Sequence, residues 1–95
     1  MGKGKSSRGY YAENIGNLGV PIPWDDFVYV MAHHFGFEVD MKKAGRGFAF
    51  TRGSETFTAY RPHGKTMKER YVHKADRLKA RTALMNLGLI EEKVR

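Results

Sequence analysis

The chain contains no cysteine, so neither a disulfide framework nor a thiolate zinc site can hold its fold together. That absence agrees with a reducing compartment. No apolar run approaches the ~20 residues needed to cross a bilayer, and no secretory signal precedes the folded part. The expectation is a cytoplasmic protein with no membrane partner. The signatures of zinc proteases, serine hydrolases, kinases and dinucleotide-binding folds are all missing, so neither a metal nor a small-molecule cofactor is expected. His33 and His34 are neighbours and cannot chelate one ion from a regular helix; they read as structural histidines at the edge of a core. Asp25 and Asp26 are adjacent too, diverge by about 100° on a helix, and so make no catalytic carboxylate pair.

What is present is basic and aromatic. The 95 residues carry a formal charge of +7 and are 41% hydrophobic, with six Phe, five Tyr and one Trp. That suffices for one compact domain and argues against disorder of the whole chain. The charge is polarised along the chain. Residues 1–20 balance at +2, residues 21–40 at −4 and residues 41–95 at +9. A one-sided positive surface favours a polyanion, because each phosphate neutralised releases counterions.

The periodicity predicts a single α+β domain. Residues 1–20 read as a flexible basic tail, rich in Gly, Lys and Ser, followed by an extended arm from Tyr10. Gly4-Lys5-Ser6 resembles the end of a phosphate-binding loop, but the preceding strand is missing. Pro21 and Pro23 stop the arm. A helix over residues 24–35 follows, with Asp25 and Asp26 at the positive end of its dipole. Its apolar face is Trp24, Phe27, Val28, Met31 and Phe35, and Gly36 ends it. Three strands are predicted over 37–41, 47–52 and 56–61, with a hairpin turn at Gly53-Ser54. Residues 62–73 are polar and irregular. A last helix runs from Lys74 to Leu87 and stops at Gly88, with Ala75, Leu78, Thr82, Met85 and Leu89 as its buried stripe. Lys74, Arg77 and Arg81 form a basic stripe beside it. The domain thus spans 21–91, with 92–95 as a frayed end. Helix, three antiparallel strands and helix make a two-layer α+β sandwich. That is the order of the double-stranded-RNA-binding domain. An exposed sheet face bearing Phe side chains would permit a dimer.

The candidate chemistry lies between the last strand and the last helix, where Arg61, His63, Lys65, Lys68, Arg70, Tyr71 and His73 are gathered within thirteen residues. Histidine works as acid or base near neutral pH, tyrosine stacks or donates a hydrogen bond, and Lys and Arg hold phosphate. Metal-free RNA cleavage needs a base for the 2′-hydroxyl, an acid for the leaving oxygen and cations for the transition state. Phosphate binding alone needs only the cations.

Trp24-Asp25-Asp26 at the first helix start, Phe35-Gly36-Phe37 at its end, Tyr60-Arg61-Pro62-His63-Gly64 with Lys68 and Tyr71, and Leu87-Gly88-Leu89-Ile90-Glu91 together resemble the HicA family of bacterial and phage toxins. The resemblance spans about residues 22–90. It implies a fold like the double-stranded-RNA-binding domain, mRNA interferase activity without a metal, and a cognate antitoxin protein as partner. The sequence departs from the family at one place. Where the family's Gly-Ser-His-x-x-Phe motif supplies a histidine held to be catalytic, this chain reads Gly45-Arg46-Gly47-Phe48-Ala49-Phe50, with Gly47 in the histidine's place. Arginine is no base near neutral pH, so Arg46 is left with phosphate contact.

The expected catalytic residues are therefore His63, Tyr71 and His73. The expected RNA-binding residues are Arg46, Arg61, Lys65, Lys68, Arg70, Lys74, Arg77 and Arg81. Whether the chain is an endoribonuclease or only binds RNA stays open at this point. A third reading is a phage or bacterial inhibitor that docks its basic face on an acidic protein.

Overall fold

The computed structural model describes residues 3–41, 47–62 and 70–91, with side chains from Arg8 onward. In chain order it comprises α1 (Lys3–Glu13), α2 (Trp24–Tyr29) running into a π-helical turn (Val30–His34), β1 (Glu38–Met41), β2 (Gly47–Arg52), β3 (Glu55–Tyr60) and α3 (Lys74–Asn86). The architecture is α+β, with one antiparallel three-stranded sheet in the order β1-β2-β3. No helix among the described residues is long and apolar enough to cross a membrane.

The three strands fall where the alternation predicts them, and their register explains the core. Phe50 faces Val39 on β1 and Phe57 on β3, and Phe48 faces Met41 and Ala59. Directly opposed residues share a face, so these six side chains lie on the side covered by the helices. The rings of Phe50 and Phe57 stack at 5.0 Å, and Trp24 and Phe27 of α2 reach Phe50 at 6.3 and 5.4 Å between centroids. Burying such aromatics contributes about 1.5–3 kcal/mol each. The other sheet face carries Glu38, Asp40, Ala49, Thr51, Thr56, Thr58 and Tyr60. The Phe-bearing outer face expected from sequence does not exist, because all three strand phenylalanines point inward. Arg52 pairs with Glu55, leaving Gly53-Ser54 as a two-residue hairpin loop. Gly53 has φ +62, the conformation that a primed turn requires at its first central position.

α2 starts at Pro23, whose carbonyl accepts the first helical bond from Phe27 N–H at 2.9 Å. Asp25 and Asp26 complement the dipole, as predicted. The helix does not stay regular to its end. Phe35 N–H reaches back five residues to Val30 at 3.1 Å, and Phe37 N–H reaches Met31 at 2.9 Å. One residue is thereby accommodated in a wide turn. Gly36, at φ +74, lets the chain reverse into β1.

Two expectations about the helices also fail. Residues 3–13 form a helix and not a flexible tail and extended arm. Glycine lowers local helix propensity there, but tertiary contacts override it. Ala12 and Ile15 are buried in the common core. Arg8 bridges Asp26 at 3.0 Å and lies over the Tyr29 ring at 4.0 Å.

The second correction concerns α3. Its buried residues are Asp76, Arg77, Ala80, Ala83 and Leu84, whereas Ala75, Leu78 and Thr82 of the predicted stripe are exposed, Leu78 by 48%. The buried face lies about half a turn of the helix, roughly 180° at about 100° per residue, from the hydropathy reading. Two charged residues on the inward face are the reason, since charge ordinarily marks the outside.

Candidate nucleic-acid interface

The inward charges of α3 organise the site. Asp76 is 4% exposed. Its Oδ2 accepts the Tyr60 N–H at 3.0 Å, and its Oδ1 lies 3.3 Å from Lys79 Nζ. Lys79 in turn donates to the Thr58 carbonyl at 2.9 Å. Tyr60 and Thr58 lie on β3, the outer strand of the sheet on this side, so α3 satisfies edge groups that would otherwise invite another strand. The same contacts fix the end of β3 against the first turn of α3. A second tie comes from the segment before α3. Pro23 and Tyr71 form an isolated antiparallel bridge, and Val72 N–H donates to the Ile22 carbonyl at 3.0 Å. Pro62 and Val72 are both buried, anchoring the two sides of the corner.

Arg61, Arg70, Tyr71, His73 and Lys74 all belong to this corner, and all five are exposed. His73 is the N-cap residue of α3 and contributes no side-chain cap. Lys74 opens the helix. Cations at this pole oppose the helix dipole, which favours negative charge there by about 0.3–1 kcal/mol per group. Asp76 is the acidic residue in the first turn, and it is already committed to Tyr60 and Lys79. The corner therefore presents a positive surface that an anion would complete. Among the described residues nothing hydrogen-bonds the His73 imidazole. The described part of the site supplies cations and aromatic rings, not an oriented acid–base pair.

Arg77 corrects the sequence reading most sharply. Expected on a basic surface stripe, it is 2% exposed and points away from the corner into the body of the protein. Its Nη1 donates to the Val20 carbonyl at 2.7 Å. Its Nη2 donates to the carbonyls of Ile15 at 3.0 Å, Asn17 at 2.9 Å and Asn14 at 3.2 Å. Burial lowers its pKa from the ordinary value, yet a guanidinium stays charged at any physiological pH. Arg77 is a clamp on the segment after α1 and has no face left for phosphate. Its Nε is buried without a hydrogen-bond partner among the described residues.

Arg81 lies half-buried two turns from the start of α3. It lines an open groove of about 810 Å³ with Leu18 and Ile90, away from the corner. Arg46, His63, Lys65 and Lys68 lie outside the described residues. Gly47 pairs across the strands with Tyr60, so that position borders the same corner. Tyr60 itself was missed. Strand parity could have found it, because Phe57 and Ala59 facing inward send Tyr60 outward.

Elsewhere on the surface, His33 stacks on Tyr29 at 4.3 Å and both histidines of that pair are exposed. They lie on the outside, not at the core edge. Tyr11, half-buried on α1, has its hydroxyl pKa raised above the ordinary value, by burial first and then by Asp26, Tyr71 and Tyr10. Among the described residues no three His, Asp or Glu converge as a metal-binding group.

The fold and corner define an α+β protein with a cationic, aromatic-flanked surface at one end of its sheet. No protein-family model, no curated protein and no solved structure matches this chain.

Proposed function

We propose that this chain is an RNA-binding protein that grips phosphates with Arg61, Arg70 and Lys74, in the manner of a HicA-like, double-stranded-RNA-binding-domain-like fold. The observation that carries the reading is the cluster of exposed cations at the α3 start, with its first-turn carboxylate buried and already engaged. Such an arrangement costs stability when empty and gains it when an anion binds. Arg46, Lys65 and Lys68 would extend the contact. The element order from α2 to α3, with the sheet order β1-β2-β3, supports the fold comparison. A protein antitoxin would be the natural cover for this surface.

The test is RNA binding at 50 and 200 mM salt, with Lys74→Ala beside the wild type. Binding should weaken with a log–log slope of about −0.7 per phosphate contacted by a single strand. Lys74→Ala, by removing one phosphate contact, should make that slope shallower by about 0.7. Failure to retain any RNA at low salt would refute the reading and turn attention to an acidic protein partner.

Cleavage is a separate question, and Gly47 favours binding without it. If the chain cuts RNA, proton transfer falls to His63, with Tyr71 or His73 as the second group. Fragments formed in EDTA by the wild type and absent with His63→Ala would establish a metal-free endoribonuclease. Intact RNA in both lanes would leave a binding protein.

A further inference from the structure

We infer that Tyr60 and Tyr71 are base-stacking residues, so that the ligand of the corner is RNA with unpaired bases. The inference rests on the RNA-binding reading above and goes beyond it to the structural class of ligand.

Both rings stand exposed beside the cations. Tyr60 is 51% exposed and Tyr71 37%, high values for side chains that bury readily. Neither sits on a floppy segment. Tyr60 is the last residue of β3, paired with Gly47 and fixed by its N–H to Asp76 at 3.0 Å. Tyr71 is held by its bridge to Pro23. Their backbones are set before any ligand arrives, which keeps the ordering cost of binding low. Lys79 approaches the Tyr60 ring no closer than 5.8 Å from its centroid, at the limit of a cation–π contact. Much of the ring is left to a ligand.

Each ring also has an arginine next to it in the chain, in Tyr60-Arg61 and Arg70-Tyr71. A nucleotide offers the matching pair of groups, a flat base and a phosphate. Bases inside a duplex are already stacked and present only edges, and duplex RNA is read through its backbone and 2′-hydroxyls. Exposed aromatic rings add nothing to that contact. They do add to the capture of single strands, where stacking on an aromatic ring tolerates any base. Charge sets the sign of the partner, and the rings beside the cations favour a phosphate chain that carries bases over an acidic protein. Arg61, Arg70 and Lys74 face outward while Asp76 is buried, so the corner suits a phosphate chain.

The test uses the full chain and fluorescence anisotropy. The probes are an unstructured 20-nucleotide RNA, a hairpin of equal length, and poly-glutamate as a protein-like polyanion. Wild type, Tyr60→Ala, Tyr60→Phe, Tyr71→Ala and Lys74→Ala are compared at two salt concentrations, with thermal melts confirming that each variant folds. The unstructured RNA should bind more tightly than the hairpin. Tyr60→Ala and Tyr71→Ala should each weaken it about 5- to 150-fold, with the salt slope unchanged, because stacking releases no counterions. Tyr60→Phe should bind like the wild type. Hairpin affinity should fall with Lys74→Ala but not with either tyrosine variant. Equal binding of both RNAs, unmoved by the tyrosine substitutions, would overturn the stacking assignment and leave the RNA-binding reading standing. Retention of poly-glutamate and of no RNA would overturn both.

Discussion

Replacing Arg77 with alanine tests whether the guanidinium is a structural clamp or a displaced surface cation. Four carbonyls, those of Asn14, Ile15, Asn17 and Val20, lose their donor at once. A hydrogen bond to a charged group contributes about 1.5–3 kcal/mol. The four do not simply add, because Nη2 has two hydrogens for three acceptors and some of these carbonyls can recover water. Release of a buried cation also offsets part of the loss. The net cost comes to about 3–5 kcal/mol, a large share of the ~5–15 kcal/mol that holds a domain folded. A domain of this size shifts by about 4–8 °C per kcal/mol, so the melting temperature should fall by roughly 12–40 °C. Arg77→Lys should recover only part of this, since one ammonium cannot span the acceptors that the planar fork reaches. Urea unfolding followed by circular dichroism gives the stability. RNA affinity, measured below the transition, should be unchanged in the folded variant. A melting temperature within ~4 °C of wild type together with weakened RNA binding would refute the clamp and return Arg77 to the surface.

Two further perturbations address the edge of the sheet and the tyrosines of α1. Asp76→Ala leaves the Tyr60 N–H and Lys79 Nζ without their acceptor and should cost about 2–4 kcal/mol, read from the urea midpoint. The Tyr60 amide should also exchange faster with solvent, and a protected amide in the variant would sink the assignment. Tyr11 has a raised pKa in the folded state, so the folded protein holds this proton more tightly than the unfolded chain. Its contribution is therefore fully present below the ordinary tyrosine value near 10 and is lost as pH rises through the higher folded value. Stability measured from pH 8 upward should fall above pH ~10, and Tyr11→Phe should make that fall shallower. An identical alkaline profile in the variant would show that Tyr11 does not carry it.

The strands were legible in the sequence because one face is buried and the other is not, which writes a period of two into Phe48, Phe50, Phe57 and Ala59. α2 was legible for the same kind of reason, with Asp25, Asp26 and Gly36 marking its ends. Its widening into a π turn was not, since that depends on where Phe35 and Phe37 must land in the core. α1 was missed because local glycines argue against a helix, and its stability comes from Arg8 and Ala12 meeting residues distant in sequence. The rotation of α3 was missed for a related reason. A buried Asp76 and Arg77 are sensible only when the partners are known, and those partners are backbone groups of β3 and of the segment after α1. Backbone acceptors and donors leave no trace in composition. The corner was half legible: Arg61, Arg70, Tyr71, His73 and Lys74 were singled out from their density, whereas Arg77 belonged elsewhere and Tyr60 needed the strand register.

The two main helix starts of this chain treat the same electrostatic pole in opposite ways. α2 places Asp25 and Asp26 in its first turn, as stability alone would choose. α3 opens on His73 and Lys74 and turns its first-turn carboxylate inward to the edge of β3. If stability were the only requirement, an acidic residue at 73 or 74 would serve better, and the sequence shows at Asp25 that this chain can supply one. Local rules broken without a structural return tend to mark functional sites. Asp76 explains how the exception is tolerated: its charge is spent holding β3 and Lys79, which keeps the corner in shape while leaving its outer surface positive. The geometry that closes the sheet edge is thus the geometry that leaves Arg61, Arg70 and Lys74 exposed, as the proposed contact with a phosphate chain requires. Substituting Lys74 should therefore weaken RNA binding with no loss of fold stability, whereas substituting Asp76 should damage both.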